Sequence, residues 1–118
     1  MKRNGMKNLL EETIEVLSKH GLTPADVQWI GTSTGCQLIR WETFAVLANR
    51  EYYTSFGTQE VRGDLIIVGN TWWLEREEYE GAECWLFKRH PSLSLSEYLE
   101  AERQSLVIFN DEKESEQD

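Results

Sequence analysis

Residues 64–87, DLIIVGNTWWLEREEYEGAECWLF, constrain the fold of this chain more than any other stretch. They hold three of the five tryptophans and five glutamates, punctuated by two short turn signals. Alternation of apolar and polar residues is the mark of a strand with two unlike faces. The spacing predicts a strand over 64–68, a two-residue turn at Gly69-Asn70, and a second strand over 71–78. Glu80-Gly81 resembles the Asp-Gly turn that needs left-handed backbone, and a third strand returns over 83–88. Gly69 and Gly81 are both expected at positive φ. Period two sets Trp72, Leu74 and Arg76 on one face and Trp73 and Glu75 on the other. On the third strand, Cys84 and Leu86 oppose Glu83, Trp85 and Phe87. Large apolar groups on both faces imply a sheet at least partly covered on both sides. Two of the three tryptophans are expected in the core and the third half exposed.

The flanking sequence reads as helices and short strands. Residues 6–20 are amphipathic at helical period: Leu10, Ile14 and Leu17 form a stripe widened by Leu9, Thr13 and Val16, and Gly21 stops it. Thr23-Pro24-Ala25-Asp26 offers an N-cap and an N1 proline, enough for one turn. Val27 to Ile30 is strand-like, 31–35 a hairpin loop, and 36–39 the returning strand. Trp41, Phe44, Ala45 and Ala48 share one side of a short second helix, and 52–58 reads as an aromatic loop. Ser94-x-x-Glu97 is a capping box that opens a C-terminal helix to about Gln104. Leu106 to Phe109 is too apolar for a loose tail, and reads as an added strand or the docked end of that helix. The fold class is α+β: an antiparallel sheet of about five strands with N-terminal, short second and C-terminal helices. A single domain over 1–110 precedes an acidic tail, 111–118, expected to be disordered.

Composition narrows the function classes. Net charge is −9, with 21 acidic against 12 basic residues. Binding to a nucleic-acid backbone requires positive surface to replace counterions, so direct nucleic-acid binding is not expected. A basic protein partner suits this balance, although charge of this size also serves solubility. No apolar run reaches the roughly 20 residues that span a bilayer, so no membrane partner is expected. The start does not read as a secretion signal, and Cys36 and Cys84 lack metal or redox spacing. Two packed free thiols in a reducing cytoplasm, with no metal and no cofactor, are the expectation.

The motif Trp72-Trp73-Leu74-Glu75-Arg76, followed by Glu78-Tyr79-Glu80-Gly81 and Glu83-x-Trp85, resembles a family of small uncharacterised bacteriophage and prophage proteins. That pattern runs Val-Gly-Asp, Trp-Trp-Leu-Glu-Arg, then Glu-Tyr-Asp-Gly-x-Glu-Trp-Trp. Here Asn70 and Glu80 stand where aspartates are common, and Cys84 replaces the first tryptophan of the last pair. Ile39-Arg40-Trp41-Glu42-Thr43-Phe44 is similar to the family's helix start, with Arg40 in the place of a capping hydroxyl. This helix is therefore expected to be capped by Thr43 or by nothing. The resemblance covers roughly residues 8–91. It implies an accessory protein in a bacterial host cytoplasm, a context in which small acidic proteins often inhibit host machinery or host defence.

No nucleophile, base or metal set assembles from this sequence, so no catalytic residues are expected and the protein is read as not an enzyme. Gly31-Thr32-Ser33-Thr34-Gly35 lacks the Lys-Ser/Thr ending of a phosphate loop. The first functional reading is a binding protein that inhibits a host or host-defence protein, anti-CRISPR or similar, by setting an acidic surface against a basic site. Its expected contacts are Trp73, Glu75, Arg76, Glu78, Tyr79 and Glu83 on the exposed side of the hairpin. The alternative is a small-ligand binder such as a nucleotide-signal sponge, stacking bases on Trp and Tyr and holding phosphate with Arg40, Arg62 or Arg76. An exposed Leu106–Phe109 strand would also pair between chains and make a homodimer.

Overall fold

The structure, a computed structural model, describes residues 6–35, 37–54, 59–104 and 106–110. Cys36, most of the expected 52–58 loop and the acidic tail lie outside the described residues. The expected α+β architecture is present. Strands β1 (Met6–Asn8) and β4 (Glu51–Tyr53) form a small sheet. Strands β2 (Trp29–Thr32), β3 (Leu38–Ile39), β5 (Leu65–Val68), β6 (Trp72–Tyr79) and β7 (Ala82–Arg89) form a five-stranded sheet in the order β3-β2-β5-β6-β7. Every pairing in both sheets is antiparallel. The helices are α1 (Leu9–Lys19), α2 (Trp41–Leu47) and α3 (Leu95–Glu102), with a single 3-10 turn at Pro24–Asp26.

Register explains the core. Ile30, Ile67, Leu74 and Phe87 lie side by side across β2, β5, β6 and β7 on one face. Ile30, Ile67 and Leu74 are fully buried, each worth about 1.5–3 kcal/mol of apolar transfer. Leu17 of α1, Phe44 of α2 and Tyr52 of β4 pack in the same core cluster, so α1, α2 and the small sheet cover this inner face. As expected, Trp72 and Trp85 are buried and Trp73 is only half-buried.

Several local expectations are corrected by tertiary pairing. The helix read over 6–20 begins at Leu9, because Met6–Asn8 pairs with Glu51–Tyr53 and the Leu9 amide donates to the Arg50 carbonyl. Asn8 then serves as its cap, accepting from the Glu11 amide at 3.0 Å. The buried stripe of α1 is Leu9, Glu12, Thr13 and Leu17, while Ile14 is 42% exposed. The start of the supposed 52–58 loop is strand β4 instead. Helix α2 starts with no side-chain cap from Arg40, one of the two outcomes the sequence left open.

The two turns of the meander differ from each other. Glu80 (φ 52°) and Gly81 (φ 87°) both lie in the left-handed region, as the expected turn requires. Gly69 does not, which corrects the reading of its turn. It is needed for space: a Cβ there would sit 2.1 Å from Cε2 of the Trp72 indole. The Gly69 amide donates to the Trp72 carbonyl at 2.9 Å and closes the connection beneath that ring.

Candidate functional site

The β6–β7 hairpin carries charge on both of its faces, and the two faces use it differently. On the inner face Arg76 is enclosed, with its side chain 0% exposed. Its Nη2 donates to Glu83 Oε1 at 3.1 Å and to the Tyr52 hydroxyl at 3.0 Å. The guanidinium lies over the Trp85 ring at 4.7 Å and near the Tyr52 ring at 5.6 Å, an arrangement that offsets part of its desolvation. Nη1 approaches Glu12 Oε2 at 4.0 Å, and neither Nε nor Nη1 makes a hydrogen bond among the described residues.

The partners of Arg76 come from every element around it. Tyr52 of β4 donates to Glu12 Oε1 of α1 at 2.6 Å. Burial, then this hydrogen bond, holds the Tyr52 phenol well above its ordinary range. Trp85 Nε1 donates to Thr13 Oγ1 at 2.8 Å, and the Thr13 hydroxyl in turn donates to the Leu9 carbonyl. Glu83 accepts from the amides of Glu60 and Val61, and its own amide donates to the Thr54 carbonyl. This network ties α1, β4, β6, β7 and the loop before β5 together. A cavity lined by residues such as Leu9, Tyr52 and Val61 adjoins it and holds about 150 Å³. Arg76 and Glu83 therefore do not lie on the exposed side of the hairpin, as the sequence reading had them. Period two sends position 76 inward with Trp72 and Leu74, and position 83 inward with Trp85. Each is buried because its charge is matched there.

The outer face of β6 carries a different row: Trp73, Glu75, Glu77 and Tyr79, at every second position. At about 3.4 Å per residue the row runs some 20 Å along the strand. Trp73 Nε1 donates to Glu75 Oε1 at 2.8 Å, and this bond holds the Glu75 carboxyl below the usual carboxylate range, with Lys88 adding to it at 3.2 Å. Tyr79 is 73% exposed beside the turn. Glu78 faces solvent at the same tip and accepts from the Gly81 amide at 2.7 Å. Of the six expected contact residues, Trp73, Glu75 and Tyr79 share one surface, Glu78 borders it at the tip, and Arg76 and Glu83 are inside. The row also contains Glu77, which is not among the six expected contacts; the two-residue period from Trp73 to Tyr79 was the signal for it.

The rest of the outer face is apolar. Trp29, Ile66, Val68 and Leu86 are half-buried there, and Leu38 is 59% exposed on the edge strand. None of them is among the side chains packed against the core cluster. Register sets these side chains against the start of the row: Val68 pairs with Trp73, and Glu75 lies between Ile66 and Leu86, while Glu77 and Tyr79 continue beyond them toward the tip. Cys84 is a free, exposed thiol on this face rather than a packed one, a consequence of its parity with Leu86. Partial burial, followed by the charge of Glu77, pushes its thiol up and away from the reactive thiolate.

The arginines considered for phosphate are dispersed. Arg62 is engaged by Asp64 through two hydrogen bonds, at 2.6 and 2.9 Å, and Arg76 is inside. Arg40 lines a shallow groove of about 460 Å³ with Trp41, Glu42 and Gln28. No group of three or more His, Cys, Asp or Glu among the described residues is placed to hold a metal ion. Among the described residues no helix is long and apolar enough to cross a membrane. Compared with known protein families, curated proteins and solved structures, the chain matches none.

Proposed function

We propose that the protein is a non-enzymatic binding protein that sets the acidic part of its outer sheet face against a basic surface of a host or host-defence protein. The observation that carries this reading is the outward row Trp73-Glu75-Glu77-Tyr79, continued at the tip by Glu78 and Glu80. Four carboxylates surround two aromatic side chains, and among the described residues Lys88 is the cation paired within the row. An aromatic anchor with an acidic surround is the composition of a surface that docks on basic protein: the ring supplies desolvated contact and the carboxylates steer approach. Glu75 supports the reading further, because its low-lying carboxyl stays ionised below the ordinary carboxylate range.

The test is capture from a bacterial host lysate with the tagged chain, alongside a Trp73→Ala/Tyr79→Ala variant and a Glu75→Gln/Glu77→Gln variant. A partner retained by the parent chain, lost by the aromatic variant and weakened by the glutamine variant or by added salt is the expected result. Identical captured sets from all three folded chains would move the site off this face. The nucleotide-sponge alternative rests on the groove of Arg40 and Trp41. Its test is Trp fluorescence across a nucleotide panel, with Arg40→Ala as the control.

A further inference from the structure

Strand β7 is an edge of the five-stranded sheet, and its main chain shows which groups that edge offers. Successive residues of a strand turn their amides and carbonyls to opposite sides. The His90 amide reaches the Thr71 carbonyl on the β6 side, and the Glu83 amide reaches the Thr54 carbonyl on the other. Residues 84, 86 and 88 therefore bond β6, while Trp85, Phe87 and Arg89 turn their main-chain groups to the edge. Beyond Glu83, none of these edge groups has a hydrogen-bond partner among the described residues. The chain that follows carries a second unpaired run. Leu106, Val107, Ile108 and Phe109 are 60–82% exposed, and their main chain makes no hydrogen bond among the described residues. Two β-branched residues and an aromatic one give this run the composition of a strand. Between the two runs, α3 presents Leu95, Tyr98 and Leu99 at i, i+3 and i+4, an exposed apolar stripe. Its capping box, Ser94 with Glu97, fixes where that helix starts.

We propose that the segment after β7 is a strap that closes on its own sheet: 106–109 joins the free edge of β7 as an added strand, parallel to β7, with α3 as the crossover helix. The structure holds the open form. The order of elements selects this occupant, because parallel neighbours need a crossover of a dozen or more residues, usually helical, and 90–105 with α3 inside it supplies one. The lengths agree. Helix α3 at about 1.5 Å per residue carries the chain back some 12 Å, and four strand residues at about 3.3 Å advance it some 13 Å, alongside Trp85 to Arg89. Handedness then places the helix. Viewed from the inner face with β7 running upward, the chirality of L-residues sets the edge groups of Trp85, Phe87 and Arg89 to the right and β6 to the left. A right-handed crossover to that edge, the hand of about 98% of such units, passes on the viewer's side. Helix α3 therefore lands on the inner face beside α1, whose Thr13 meets Trp85 and whose His20 stacks on Phe87 at 3.7 Å. Closure pairs the edge and covers the apolar stripe in one movement. It leaves the outer row of Trp73, Glu75, Glu77 and Tyr79 open, so it is independent of what that row binds.

Residue-resolved amide hydrogen exchange on the full chain tests this, with a strand variant, Val107→Pro/Ile108→Pro, and a helix variant, Leu95→Glu/Leu99→Glu. In the parent the Phe87 and Arg89 amides should exchange at least about tenfold more slowly than open amides, and both variants should release them. The Leu74 amide, in the middle of the sheet, should stay protected throughout and so report that the variants fold. Open-amide exchange at Phe87 and Arg89 in the parent overturns the proposal. So does protection that either folded variant leaves intact. Protection that rises with protein concentration overturns it as well, because a second copy, not the chain's own strap, then covers the edge. Should the strand variant lose protection at Leu74, the helix variant decides, since Leu95 and Leu99 lie outside the core cluster.

Discussion

Strand β6 places tryptophan and charge on both of its faces, and the faces put them to opposite uses. Inward, Arg76 meets Glu12, Glu83, Tyr52 and Trp85, and nearly all of that charge is out of water. Outward, Glu77 and Glu78 lie in solvent and Glu75 is half-buried, paired with Lys88 at 3.2 Å. The inner set is over-connected, so losing one member strands the others. The outer set is loosely connected, so its members can change without cost to the fold. What separates architecture from a contact surface here is not residue type but how many partners each charge has.

The comparison is broken most directly at Arg76. Arg76→Ala leaves two buried carboxylates facing each other without their cation, and should cost about 3–5 kcal/mol, read as a large loss of urea or thermal stability. If the variant melts like the parent, the inner face is not the closed network described. Next in size is Gly69→Ala, whose Cβ has no room under Trp72; overpacking of about 1–3 kcal/mol should lower the melting temperature. Gly81→Val should cost about 1–2 kcal/mol through left-handed strain. An unstrained Gly81→Val would mean that the hairpin is misplaced.

Tyr52 tests the inner face by pH. Its phenol titrates in the unfolded chain near 10.0 and later in the folded one. Stability is therefore full below pH 10 and falls as pH rises past it, because only the unfolded chain releases the proton there. Tyr52→Phe should remove that dependence in alkaline denaturation curves. The smallest effects belong outside: Glu77→Gln or Tyr79→Ala should change stability by no more than about 0.5 kcal/mol. A marked loss of stability from either would show that the outer row is structural after all.

Much of this was legible in local sequence. Alternation alone put Trp72 and Leu74 on one face and Trp73 on the other, and set Trp85 opposite Cys84 and Leu86, because the two-residue period of a strand is a property of the backbone. The Ser94 capping box, the turn at Glu80-Gly81 and the uncapped start of α2 were legible for the same reason: each depends on residues a few positions apart. Glu12, Arg76, Glu83 and β1–β4 were not. Glu12 and Tyr52 are 40 positions apart and Thr13 and Trp85 are 72 apart, so nothing local distinguishes Glu12 from its neighbour Glu11, which faces solvent. By itself the sequence determined the period of each element and which side of the hairpin each residue takes. Only the tertiary structure decided which side is covered, and therefore which charges are enclosed, because burial depends on the elements that arrive from elsewhere in the chain.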